Sequence, residues 1–308
     1  IVIRSRFVFV GLALMFFFFG GVSDLTAGDT LQQRVDSFRE KALRQGISSK
    51  LVNEVLDGIS VNPEVLENRE HQPEFTVDYP RYRDMFVTPE MIERGKKKLQ
   101  QHRGLLRDLE ERYGVPPQTL VAIWGVESRY GTHQSQFDVL RSLYTLAFAS
   151  SGGSDYFEGE LLAVLKGLEQ QEIPENRPKG SWAGAMGDPQ FMPSSFRAYA
   201  VDHDGDGRKD IWNSPPDILA SLAPYLSEHG WDSSEDGGRV TTSDQVTEQG
   251  RRIEPKGSEE AFRVTDNFEV LLQYNRSEHY ALVVGELSRA LADDTDGSEV
   301  EREGEDAN

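Results

Sequence analysis

The sequence predicts a mainly α protein that is α+β only through one small insert. Three observations carry this expectation. Apolar residues recur at helical spacing through most of the chain. Ser, Thr and Pro stand where such runs begin, and Gly where they end. Strand-like pieces are confined to 239–242 and 261–264, at and beside a polar stretch from 232 to 260. With 308 residues, 37% of them hydrophobic and 10% aromatic, the chain can build one large domain or two moderate ones around a real core.

Residues 1–27 differ from the rest. Arg4 and Arg6 precede an uncharged run over 7–19, and small or polar residues follow, which is the pattern of a secretory signal peptide cleaved near Ala27. Thirteen uncharged residues make a short span, so a retained membrane anchor is the alternative. Either way the remainder is expected in the periplasm. The absence of cysteine excludes disulfides, thiolate metal sites, thiol nucleophiles and a lipid-modified cysteine. The net charge of −19 makes nucleic acid an unfavourable partner. The last 17 residues hold eight acids and one base, and read as a solvated, disordered tail.

Between these ends the elements follow in order. Leu31, Val35, Phe38 and Ala42 predict a first helix, and Ser48 caps a second carrying Leu51, Val52, Val55 and Leu56. The stretch 60–87, with Pro, Asn and aromatics, reads as a loop wrapped over a surface. Thr88 and Pro89 then open a long basic-flecked helix. A helix beginning at Pro116 and Pro117 and ending at Gly131 follows, then stripes from Phe137 to Phe148 and from Phe157 to Leu168. Residues 172–216 are rich in Gly, Pro, Ser and Asp, and a loop of that length is usually functional or organised by a ligand. Ile218, Leu219, Leu222, Tyr225 and Leu226 resume the helical period. A final helix, capped by Ser277, carries Leu282, Val283, Leu287 and Leu291. The expected organisation is a helical region over 28–114, a catalytic core over 115–231, a β insert over 232–267, a C-terminal helix within 268–292 and the tail over 293–308.

Two patterns carry chemistry. In "IWGVESRYG", Leu120, Ile123, Trp124 and Glu127 fall on one helical stripe, so a carboxylate faces inward beside an indole near a helix C-terminus. Such a setting raises a carboxyl pKa and suits a general acid. The alternative is a Glu that reaches the helix edge or pairs with Arg129. In "DHDGDGRKDIWN", Asp202, Asp204, Asp206, Arg208 (by its carbonyl), Asp210 and Asn213 match a calcium loop, with Gly207 at its turn and Asn213 where a bidentate Glu is usual. An acidic surface turn is the alternative. No GxSxG elbow or zinc-ligand spacing occurs. A glycosidase normally needs two carboxylates across the bond; Asp138, Asp155 and Glu158 are available but none has so apolar a setting, and one buried acid fits a reaction whose substrate supplies the nucleophile.

The blocks "WGVESRYGTHQSQFDVLRSLYTLAF", "YFEGEL", "GSWAGAMGDPQFMPSSFRAYAVDHDGDGRKDIWN", "YLSEHGW" and "NFEVLLQYNRSEHYALVV" resemble the B-type lytic murein transglycosylases, with gaps, from about residue 30 to 292. The resemblance implies a lysozyme-like core that cleaves the β-1,4 bond between N-acetylmuramic acid and N-acetylglucosamine in peptidoglycan. Glu127 would protonate the leaving oxygen and then, as base, draw the muramoyl C6 hydroxyl onto C1 to give a 1,6-anhydro end. It further implies that Ser181, Met186, Gln190 and Phe191 line the sugar groove and that Tyr225, Tyr274, Asn275 and Tyr280 reach it. Calcium would be structural, and no organic cofactor is expected. The partners implied are glycan strands and cell-wall enzyme complexes, with the chain a monomer. "ASSGGSDYF" lacks a basic pair that some relatives place before "YF". A lysozyme-type hydrolase and a non-catalytic peptidoglycan-binding scaffold are the competing readings.

Overall fold

The computed structural model describes residues 31–70, 77–133, 136–149, 154–173, 178–234, 240–242 and 250–292. The expected signal segment and acidic tail lie outside the described residues. No helix among them is long and apolar enough to cross a membrane.

The N-terminal helices form where their periodicity places them. Helix α1 (Leu31–Arg44) buries Val35, Phe38 and Ala42, and Ser48 caps α2 (Ser49–Leu56) by accepting the Leu51 N–H. The stretch expected to be a loop instead contains α3 (Pro63–Glu70) and α4 (Tyr79–Arg83). Neither displays an apolar period, because α3 offers only the adjacent pair Val65 and Leu66 and α4 has five residues, and each begins at or beside a proline that suits a first helical turn. Thr88 caps α5 (Pro89–Gln101) as expected, accepting the Met91 N–H at 3.2 Å. The long helix breaks at His102, whose φ of −111° and ψ of 19° separate α5 from α6 (Arg103–Tyr113).

Helix α7 (Pro117–Ser128) is buried throughout from Thr119 to Ser128. It packs against α5, α6, α11 (Pro215–Glu228) and α13 (Glu278–Ala292). The close approach of α5 requires glycine: a Cβ on Gly95 would meet the Tyr130 hydroxyl at 2.5 Å and Leu291 at 2.6 Å. Helix α8 (Val139–Tyr144) runs into a π-helical turn (Thr145–Ala149), α9 (Asp155–Glu169) follows, and the short α10 (Pro193–Tyr199) lies within the stretch read as a loop. The C-terminal stretch holds two helices, α12 (Asn267–Tyr274) and α13. They meet at Ser277, whose hydroxyl accepts the Tyr280 N–H at 3.3 Å, the capping role expected of it.

Strand β1 (Phe137–Asp138) pairs antiparallel with β2 (Lys179–Gly180). The insert is a three-stranded antiparallel sheet in the order β3 (Val240–Thr242), β5 (Phe262–Val264), β4 (Arg251–Ile253), with Phe262 opposite both Thr242 and Ile253. This sheet supports α4, since the Phe262 ring lies 5.3 Å from that of Tyr79 and the Tyr79 N–H donates to the Lys256 carbonyl at 2.9 Å. On its other side α4 is tied to α13 by Arg83, which bonds the buried Glu286 carboxylate. One contiguous apolar core runs from Val35 to Leu291.

Gly95→Ala should therefore lower stability by about 1–3 kcal/mol, the range for overpacking. Urea unfolding, with the midpoint reduced at unchanged slope, is the check.

Candidate active site

A helix apolar on every side is an interior helix. Because α7 is one, Glu127 on its last turn is carried inside and is only 3% exposed. The chain then turns sharply. Arg129 and Tyr130 take left-handed conformations, with φ of 51° and 59°, before Gly131 at 81°. Ser128 braces the turn by accepting the Gly131 N–H at 3.0 Å. Arg129 directs its guanidinium to the Met85 carbonyl at 3.1 Å and over the Phe86 ring.

Two phenols from the C-terminal helices face this carboxylate. Tyr274 and Tyr280 are both held well above the ordinary phenol range, by burial first and then by the Glu127 charge; hydrogen bonding to Glu127 adds to the rise at Tyr280. Both therefore remain protonated. Their rings stack 3° from parallel, with centroids 6.3 Å apart. Tyr82 of α4, buried under the same helices, adds to the rise at Tyr280.

The Gly-rich segment supplies the facing wall. Met186 and Phe191 exchange backbone bonds of 2.7 and 3.0 Å and close a hairpin over Gly187, Asp188, Pro189 and Gln190. Gln190 sits at φ 53°, and its amide donates to the Gly187 carbonyl. Its Oε1 is buried with no donor reaching it among the described residues. The Tyr274 hydroxyl bonds the Pro189 carbonyl and so pins the hairpin to α12. Phe191 lies 5.7 Å from the Tyr225 ring and 6.0 Å from Tyr274, and Tyr225 in turn donates to the Gln273 carbonyl at 3.0 Å.

The structure thus brings Gln190, Phe191, Tyr225, Tyr274 and Tyr280 into one aromatic-rich wall next to Glu127. Met186 is fully buried at the base of the hairpin. Ser181 is also fully buried, and its hydroxyl accepts the Ala185 N–H at 3.0 Å, the turn-bonding arrangement. Asn275 uses its Oδ1 on the Ser277 N–H. Sequence reasoning missed Tyr82, hidden in a stretch read as loop. It also missed Asp188, which an indole donor at Trp124 in need of a buried acceptor could have signalled.

In the acidic loop, carboxylate oxygens of Asp202, Asp204 and Asp217 lie within 4.8 Å of one another. Asp217, in the first turn of α11, was not among the expected ligands. It is fully buried and accepts the His203 and Asp210 N–H groups, each at 2.8 Å. Its carboxyl is raised by burial, opposed by those bonds and assisted by the Asp204 charge. Asp206 accepts the Arg208 N–H, and Asp210 accepts the Asn213 N–H and amide. Arg208 and Asn213 are exposed. A hard cation fits the convergent trio, because it would offset both the burial and the mutual repulsion.

A family model described as the transglycosylase SLT domain matches residues 30–256 and 239–289. The chain belongs to this transglycosylase family. Membrane-bound lytic murein transglycosylase B of Escherichia coli K12 is 31% identical over 309 residues, spanning 87% of this chain and 84% of its own. Among solved structures, SltB3 of Pseudomonas aeruginosa in complex with NAG-NAM-pentapeptide superposes with a TM-score of 0.76 at 35% identity, covering 86% of this chain and 80% of the other. The Escherichia coli transglycosylase Slt35 in complex with calcium gives 0.71 at 30% identity, covering 84% and 92%. The fold is the lysozyme-like fold of these enzymes, and the transglycosylase is a lyase of murein.

Asp217→Ala strips two part-buried backbone N–H groups of their acceptor and should cost about 1–3 kcal/mol even with chelator present. Thermal unfolding in chelator reads this structural share apart from any cation.

Proposed function

We propose that Glu127 is the single general acid and base of a non-hydrolytic cleavage of the MurNAc–GlcNAc β-1,4 bond. The observation that carries this is a carboxylate 3% exposed on an apolar helix, faced by two protonated phenols. Burial favours its acid form. Glu127 gives its proton to the glycosidic oxygen as the C1–O bond breaks, and the carboxylate left behind lies beside the positive charge developing at C1. It then takes the proton of the muramoyl C6 hydroxyl, whose oxygen bonds C1 and closes the 1,6-anhydro ring. No water enters the product.

The other buried carboxylates among the described residues have structural work. Glu160 accepts from Ser194, Asp188 from Trp124, Asp217 from two backbone N–H groups, and Glu286 from Arg83. None stands ready to activate water or attack C1, so an intramolecular hydroxyl of high effective concentration is the fitting nucleophile. The aromatic wall suits sugar faces, and the buried Gln190 oxygen suits a sugar N–H or O–H. A relative bound to NAG-NAM-pentapeptide supports glycan strands as the substrate, and the murein substrate supports a periplasmic site of action. The trio of Asp202, Asp204 and Asp217 would hold calcium as a staple of the loop ahead of α11, with no part in the proton transfers.

Glu127→Gln should lower turnover of murein sacculi by about 10²–10⁴-fold while binding persists; full activity in this variant sinks the assignment. Mass spectrometry of the wild-type products should show ends lighter by one water than a hydrolase leaves. Chelation should lower the melting temperature, and calcium should restore it in a concentration-dependent way.

A further inference from the structure

The hairpin that faces Glu127 carries a buried carboxylate with no part in these proton transfers. Asp188 is 2% exposed, and its Oδ2 accepts the Trp124 indole N–H at 2.8 Å. Trp124 stands three residues before Glu127, on the same stripe of α7. The same oxygen also lies against the turn that follows Glu127, where a Cβ built on Gly131 would come within 2.7 Å of it. One carboxylate therefore touches the chain on both sides of Glu127.

The backbone of Asp188 is held from the opposite direction. Its N–H donates to the Ile211 carbonyl at 2.8 Å. The next carbonyl, at Pro189, accepts from Tyr274, and Gln190 follows. Asp188 is thus the point at which the helix bearing Glu127 and the sugar-facing hairpin are set relative to each other.

An indole N–H could be satisfied by a neutral carbonyl or amide. A buried carboxylate carries a heavy desolvation cost instead, but its charge-assisted bond is about twice as strong as a neutral one. That added strength has a use where position matters, since a misplacement of about 1 Å can cost about 100-fold in rate. We propose that Asp188 is a positioning residue: through the Trp124 indole it fixes Glu127 against the hairpin without touching substrate. The proposal rests on the reading of Glu127 as acid and base.

The test is steady-state turnover of soluble glycan strands by the full chain carrying Asp188→Ala, Asp188→Asn, Trp124→Phe and the Trp124→Phe/Asp188→Ala pair. Asp188→Ala lowers kcat about 100-fold and leaves KM within about twofold, because no groove contact is removed. Asp188→Asn, which keeps a carbonyl for the indole, recovers at least about tenfold of that loss. Trp124→Phe is slowed, and the double variant is no slower than Asp188→Ala alone. Circular dichroism verifies folding; where the Ala variant does not fold, the isosteric Asn variant carries the test, with the smaller ring of Trp124→Phe beside it. The proposal is overturned by a kcat within about twofold of the parent, by a change in KM rather than kcat, by an Asn variant as slow as the Ala variant, or by losses that multiply. Glu127→Gln in the same assay separates the two readings. Turnover in that variant removes the acid–base assignment, whereas the Trp124 indole N–H resonance, slow to exchange in the parent and shifted in Asp188→Asn, reports the Asp188 contact by itself.

Discussion

A carboxylic acid placed inside a helix that is otherwise apolar is the constraint around which the rest of the chain is arranged. Water that would solvate the anion is excluded, so every neighbour must be apolar or a donor. Helix α7 meets this by burying its whole circumference against α5, α6, α11 and α13. Such packing demands glycine where helices or rings press closest: a Cβ on Gly125 would lie 2.7 Å from the Tyr130 ring. The polar neighbour then has to come from elsewhere in the sequence, and it arrives as the Tyr280 phenol, while Tyr274 beside it spends its proton on the Pro189 carbonyl.

The turn after Glu127 shows how firmly the position is set. Two non-glycine residues in the left-handed region cost of order 1–3 kcal/mol each. Their surroundings leave no other choice. Arg94 donates to the Arg129 carbonyl at 2.6 Å, the Tyr130 hydroxyl donates to the Met91 carbonyl at 3.0 Å, and Arg129 is anchored on Met85. Strain here is held by α5 and the segment before it, so elements away from the aromatic wall still define where the acid sits.

Much of this was legible in the sequence. The stripe of Leu120, Ile123, Trp124 and Glu127 forecast an inward acid, and Ser48, Thr88 and Ser277 forecast their helix starts, because both signals act within one or two turns. Features that depend on distant partners were not legible. Residues 63–70 and 79–83 read as loop since their helices are stabilised by burial of Val65, Tyr79 and Tyr82 rather than by local period. In the acidic loop, spacing pointed to Asn213 as the closing position, yet it is Asp217 that converges with Asp202 and Asp204, because the start of α11 carries it back toward the loop. Tyr225 fell on the apolar period of its helix, and it is buried there against Phe191 and Tyr274, so a core position also makes it part of the aromatic wall.

The phenols that complete the pocket come from residues 274 and 280, while α4, which brings Tyr82, is clamped by a sheet strand at 262 and by Glu286. A chain threaded N-terminus first presents its acid long before these partners exist. Without the last two helices, the face of Glu127 that Tyr274 and Tyr280 cover would be open to water. The enclosure of Glu127 is thus finished only by the last two helices of the described chain.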